Sequence, residues 1–293
     1  MTTPYQQQPV QQAPLPQAPG GPLGAYTSPI AVRHATFTDA LASEWTKIRS
    51  VRSTMWTLGV LIALMLGLGL LFGFLVRAND DADVNDAPVL AFGSFGVLLG
   101  SICVITLGVL TITSEYGTGM IRTTLTACPS RGRILAAKAV VFFLLAFVVV
   151  TVGATVVALL QSALLPDAAT ASGGEWLRAT VGVGAYVAML GLLSLAVGAL
   201  IRHSAGAVTI MIGVVLLPLV LALFMYTDSL SGLRTFLMDY SIPSQLIGFY
   251  GSSATGGMSG PAGWDSLWII TGLAAAALAG AFLLLKKRDV WGR

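Results

Sequence analysis

The chain has 293 residues, of which 55% are hydrophobic and 10% charged. A soluble domain needs about 25% charged residues to cover its surface, so soluble enzymes and soluble binding modules are excluded. The net charge of +3 is small, and no basic stripe runs along a polar fold, which excludes nucleic-acid binding.

Residues 1–30 carry seven Pro and six Gln but no Lys, Arg, Asp or Glu. Such a segment cannot bury a core, and residues 1–36 are predicted to be a disordered cytoplasmic tail. An amphipathic helix follows within residues 37–54. Phe37, Leu41, Trp45, Ile48 and Val51 recur at helical spacing and line one face. Asp39, Ser43, Lys47 and Ser50 take much of the rest, and Glu44 is placed to pair with Lys47. A helix that mixes Trp with basic residues suits the membrane interface.

Six uncharged apolar runs are long enough to cross a bilayer of about 30 Å as helices. They cover about 55–76, 89–113, 139–165, 179–201, 205–226 and 267–285, within a transmembrane domain of residues 55–285. The runs are continuously apolar, so helices are expected and a β-barrel is not. Of the 16 Lys and Arg, thirteen fall on the side of the N-terminal segment, the loop 114–138, the 202–204 turn and the 286–293 tail. Only Arg77, Arg178 and Arg234 fall on the other side. The positive-inside rule makes the basic side cytoplasmic, with both termini there. All six Trp lie near span ends, as an interfacial belt requires. The fold expected is an all-α integral membrane protein with six transmembrane helices and an N-terminal amphipathic interfacial helix.

Between the spans, the loop 77–87 carries four Asp and reads as a solvated outer loop. The segment 227–266 is the longest connection. Residues 232–250 are expected to form two short helices dipping into the outer leaflet against protein, and 251–263 a Gly-rich external loop. Small residues four apart, Gly69 with Gly73, Gly96 with Gly100 and Ala276 with Gly280, permit close helix packing. Pro218 is expected to kink the fifth span.

The missing chemistry is informative. No GxxxxGK[ST], HExxH or GxSxG motif occurs, so the chain is expected to be neither an ATPase nor another enzyme. No ionisable residue lies within a predicted span, although ion-coupled carriers need such groups at membrane depth. Cys103 and Cys128 are not expected to form a disulfide, and no metal-ligand cluster exists. His34 and His203 read as isolated surface residues. Gln161 and Ser162, near the outer end of the third span, are expected to serve packing.

The loop after the second span differs. It runs Ser114-Glu115-Tyr116-Gly117-Thr118-Gly119-Met120-Ile121-Arg122-Thr123-Thr124-Leu125 and continues through Pro129, Arg131, Arg133, Leu135 and Lys138. Gly117 and Gly119 are expected to break the helix, and Thr118 to cap a new short one. That helix would present Met120, Ile121, Thr124 and Leu125 as one apolar patch flanked by Arg122, ending before Pro129. Ser130 would cap the helix that re-enters the membrane. A short rigid helix of this kind suits docking into a groove on a soluble partner.

With these residues the chain resembles the membrane subunits of ABC transporters of the ABC type-2 export-permease family. The family's loop pattern, approximately E-Y-x-T-G-x-I-R-x-x-L followed by P-x-R and A-K, is matched by Glu115, Tyr116, Thr118, Gly119, Ile121, Arg122, Leu125, Pro129, Arg131, Ala137 and Lys138. Glu44, Trp45, Lys47, Ile48 and Arg49 resemble the family's segment before the first span. The resemblance extends over about residues 37–288. It implies a permease subunit of an ATP-driven exporter in the plasma membrane, paired with an identical or similar subunit and surrounded by lipid. A separate ABC ATPase subunit would hold ATP and Mg, with no cofactor on this chain. The loop helix would be the coupling helix and the N-terminal helix the connecting helix. Glu115 and Arg122 would pair with each other or meet charges on the ATPase. The alternative function is a non-transporting membrane anchor or sensor that recruits a cytoplasmic partner. An apolar pathway leans towards lipid or amphipathic substrates.

Overall fold

The computed structural model describes residues 36–78, 89–127, 130–166, 170–225, 227–251 and 260–287. The Pro/Gln tail up to residue 35, the four Asp of 79–88, the 252–259 stretch, Cys128, Pro129 and residues 288–293 lie outside them. The chain folds as helices throughout the described residues. α1 spans Phe37–Ser50 and α2 Arg52–Arg77. α3 (Ser94–Gly117) follows a short 3-10 turn, and α4 spans Met120–Ala127. α5 covers Arg131–Leu164. α6 (Gly173–Leu177) runs through a π-helical turn into α7 (Val183–Ile201). α8 is Ser204–Leu223, α9 Ser231–Asp239, α10 Ile242–Ile247 and α11 Trp264–Lys287.

Six helices are long and apolar enough to cross a membrane, namely Arg52–Arg77, Val89–Gly117, Arg131–Leu164, Gly173–Ile201, Ser204–Leu223 and Trp264–Lys287. They coincide with the six apolar runs but overrun several of their ends. α5 begins at Arg131, eight residues before its uncharged run, because nothing in the backbone stops a helix at a charge. Glu115 and Lys138, read as loop residues, are therefore helical. The fifth helix is shorter than its run and ends at Leu223, although it continues through Pro218.

α7 is the hub. It has no charged residue and is apolar all round, so burial on every side suits it. It packs against α3, α5, α8 and α11, and Val183, Tyr186, Val187, Leu190 and Leu195 are fully buried. Glycine permits a close crossing of α3 and α7. A Cβ on Gly108 of α3 would lie 2.4 Å from the Gly191 carbonyl oxygen of α7. The Gly96 and Gly100 pair does pack closely, with added Cβ atoms 2.7 Å from the Met65 oxygen and from Leu61. The Ala276 and Gly280 pair does not, since Gly280 has nothing within 4 Å and Ala276 is exposed.

At the end away from α1, Arg77 donates to the Leu164 carbonyl at 2.8 Å and ties α2 to α5. Gln161 is fully buried and donates to the Gly69 carbonyl at 2.9 Å, a packing role between α5 and α2. Of the two short helices expected in 232–250, α10 and the 3-10 turn after it are buried, with Leu246 and Phe249 inside and Phe249 edge-on to Tyr186. α9 instead leaves Leu233, Phe236 and Tyr240 exposed. Cys103 is a half-buried free thiol in α3.

Candidate functional site

At the basic end of the bundle, α1 is started by a capping box. The Thr36 hydroxyl accepts from the Asp39 N–H at 3.3 Å, and the Asp39 carboxylate accepts from the Thr36 N–H at 2.9 Å. One face of α1 then carries Glu44, Lys47 and the buried Ile48. The helix breaks at the extended residue Val51 before α2 begins, and it lies against the first turns of α5. This brings four charges from three helices together.

The Lys138 ammonium donates to Glu44 Oε2 at 2.5 Å and to Glu115 Oε1 at 2.9 Å. The Lys47 ammonium donates to Glu44 Oε1 at 2.7 Å and to Glu115 Oε1 at 2.8 Å. The result is an alternating square of two cations and two anions with no net charge. Side-chain exposure is 2% for Lys138, 4% for Glu44, 6% for Glu115 and 30% for Lys47. Burial works against the charge of Lys47, but the carboxylates of Glu115 and Glu44 outweigh it and hold its pKa above the ordinary lysine value. Charges taken so far out of water persist only when paired. The square is asymmetric: Glu115 Oε1 receives both ammoniums, while Oε2 is buried without a hydrogen-bond partner among the described residues.

The elbow beyond Glu115 is held from a second direction. The Arg202 guanidinium lies 5.0 Å from the centre of the Tyr116 ring. Arg202 ends α7 in the left-handed conformation at φ 60°, and the His203 imidazole caps α8 by accepting from the Gly206 N–H at 3.1 Å. Adjacent residues of α3 thus reach α1 and α5 on one side and the α7–α8 turn on the other. Arg131 donates to the Leu285 carbonyl at 2.5 Å and joins the start of α5 to the end of α11.

The expected break after α3 is present with two corrections. α3 runs through Gly117, and the turn falls at Gly119, whose φ of +73° favours glycine. Thr118 does not cap α4. Its hydroxyl and its N–H both turn back to the Ser114 carbonyl, at 2.8 and 3.0 Å, so it closes α3. Ser130 occupies the N-cap of α5 but makes no side-chain capping bond.

The apolar patch expected on α4 is divided. Ile121 turns inward and is 7% exposed, whereas Met120 stays 47% exposed. Arg122 is exposed on α4, and the Leu125 side chain lies outside what the structure describes. Met120 and Thr123 face Asp39, Ser43 and Ile134 across a groove of about 390 Å³ between α4, α1 and α5. A cavity of about 180 Å³ on the other side of Lys47 is lined by Ile48, Thr54, Leu107, Thr111 and Met120. Trp45 and Arg49 lie off the square and are exposed.

Among the predicted site residues, then, Glu44, Lys47, Glu115 and Lys138 converge. Glu115 pairs with lysines of α1 and α5. Arg202 was missed, because it reads as a plain charge in a tight turn. One signal did point to the square: on a strongly basic side, Glu44 and Glu115 are two of only four acids, and both adjoin apolar runs.

This is a multi-pass membrane protein whose basic residues gather at one structured end, where a short helix stands against a groove. The family model described as ABC-2 family transporter protein matches residues 40–227. The chain belongs to that family and is the membrane-spanning permease component of an ABC transporter, distinct from the ATPase component with which such permeases associate. No curated protein matches the chain at a significant level.

Proposed function

We propose that the chain is the permease of an ATP-driven exporter in the plasma membrane and that α4 is the helix through which a separate ATPase subunit acts. The basic end, with both termini, faces the cytoplasm, and α1 lies along the membrane surface as the connecting helix. Two such subunits pair around the pathway. ATP and Mg bind the partner ATPase, and this chain supplies the docking surface.

The observation that carries the reading is the buried square beside the groove. A docked element can transmit nucleotide-driven closure only if α4 moves with the membrane helices. α4 is attached to α3 through the Gly119 turn, one step beyond Glu115 and Tyr116. Glu115 binds α3 to α1 and α5, and Tyr116 meets the α7–α8 turn. A displacement of α4 therefore loads three spanning helices at once. Coupling requires contacts that differ between two states, and the unpartnered Glu115 Oε2 offers a second seat for either ammonium.

The test is co-purification of the full chain with its ATPase and measurement of stimulated ATP hydrolysis. Arg122→Glu and Gly119→Pro are expected to lose both. Retention of binding and stimulation in both variants refutes the assignment of α4. Sidedness is read separately: a cysteine at the exposed Ser229, between α8 and α9, labels from outside in intact cells. Labelling only after lysis overturns the orientation.

A further inference from the structure

We infer that a single buried water molecule bridges Gln161 of α5 and Tyr250, which ends the 3-10 turn after α10. Gln161 is fully buried, and its Nε2 donates to the Gly69 carbonyl of α2 at 2.9 Å. A carbonyl oxygen only accepts, so this bond fixes which way the amide faces. Oε1 is therefore the atom turned from Gly69, and it has no hydrogen-bond partner among the described residues. Gln161 and Tyr250 line one small cavity that encloses about 10 Å³, bounded also by Gly93 at the start of α3 and by Val157 of α5. Gly93 leaves Oε1 uncovered: a Cβ there would stand in van der Waals contact with it, at 3.6 Å.

Size, polarity and charge together choose the occupant. A space of about 10–15 Å³ is what one water needs. Among the described residues no charged group lines the cavity, so a metal or ammonium ion would have nothing to balance it. A purely apolar void stays dry, but this one adjoins an amide oxygen that has left water and still needs a donor. Lipid around the spanning helices supplies none. A water donates one O–H to Oε1 and makes its second bond with the Tyr250 hydroxyl, which can donate or accept. Tyr250 is 7% exposed, and burial holds its pKa above the ordinary tyrosine value, so the phenol keeps its proton for that bond. The contacts then run from Gly69 through Gln161 and the water to Tyr250, tying α2 and α5 to the turn Gly248–Tyr250. Arg77 joins the same two helices one turn further along α5, at the Leu164 carbonyl. A direct bond and a water-borne one thus close the bundle at the end away from α1.

The inference rests neither on the ATPase reading nor on the orientation in the membrane. In the test, the full chain is purified in detergent and given a brief X-ray pulse, in which a held water yields hydroxyl radicals that oxidise the side chains touching it. Peptide mass spectrometry locates the products. Tyr250 is expected to be oxidised, whereas Phe142, 2% exposed in α5 and not part of the cavity lining, is not. Heavy-oxygen water mixed in just before the pulse times the exchange. Tyr240, 49% exposed, sets the bulk rate, and the Tyr250 product is expected to take up the label more slowly. Gln161→Leu removes the acceptor and is expected to lose the Tyr250 product. Because that variant also breaks the bond to Gly69, a second one keeps Gln161: Gly93→Ala sets a methyl group against Oε1 and is expected to lose the product too. Melting curves identify which variants are folded. A Tyr250 left as unreactive as Phe142 in the unsubstituted chain overturns the proposal. So does label uptake at the rate of Tyr240, which marks a site open to solvent, or undiminished oxidation in either folded variant.

Discussion

Lys138→Met removes two of the four contacts of the square and leaves Glu44 and Glu115 sharing Lys47. The local charge passes from zero to minus one in a site where both carboxylates are at most 6% exposed. Removing one partner of a buried ion pair costs about 3–5 kcal/mol. With about 2–4 °C per kcal/mol for a chain of this size, the melting temperature falls by roughly 6–20 °C. Adding Glu115→Leu restores neutrality and leaves the 2.7 Å pair of Glu44 with Lys47 in place. Apolar replacement of a whole buried pair is often neutral or stabilising, so the double variant recovers most of the loss. Tryptophan-fluorescence melts of purified protein, arranged as a double-mutant cycle, measure this. Lys138→Met melting with the wild type, or two substitutions whose effects simply add, would refute the coupling within the square. ATPase stimulation is a second readout. If it returns together with stability in the double variant, the square supports the fold and does not transmit motion.

Three further outcomes follow from the geometry. Gly119→Ala costs about 1–2 kcal/mol from its left-handed backbone alone, since its Cβ meets nothing within 4 Å, whereas Gly117→Ala, also in open space but helical, stabilises by about 0.5–1 kcal/mol; paired melts decide it. Gly108→Ala is strongly destabilising because the Cβ meets the Gly191 carbonyl oxygen at 2.4 Å, while Gly280→Ala, helical and with nothing within 4 Å, raises the melting temperature slightly, by the same gain of about 0.5–1 kcal/mol. Lys47 has a folded pKa above its ordinary value of 10.5; its stabilising contribution is therefore complete below that value and is lost as pH rises through the higher folded one. The difference in melting temperature between wild type and Lys47→Met should hold constant from neutral pH upwards and shrink only beyond about pH 10.5.

The membrane class, the six spans and the concentration of basic residues at one end were legible in the sequence because each is a one-dimensional property. A run of uncharged apolar residues is its own signal, and its flanking arginines are counted without knowing what they touch. The helix of residues 37–50, the break near Gly119 and the short helix after it were local too, set by periodicity and by glycine. Helix ends were less legible, because a helix does not stop where charge begins; on charge alone, Glu115 and Lys138 fall in a loop. Only the tertiary structure decided that they meet Glu44 and Lys47, since the pairs lie 23, 68 and 94 positions apart and sequence spacing carries no trace of such contacts. Packing likewise chose among the glycines. Gly96 and Gly280 sit in equally plausible small-residue pairs, yet one meets a neighbouring backbone and the other faces open space, because close approach belongs to two helices and is written in neither alone.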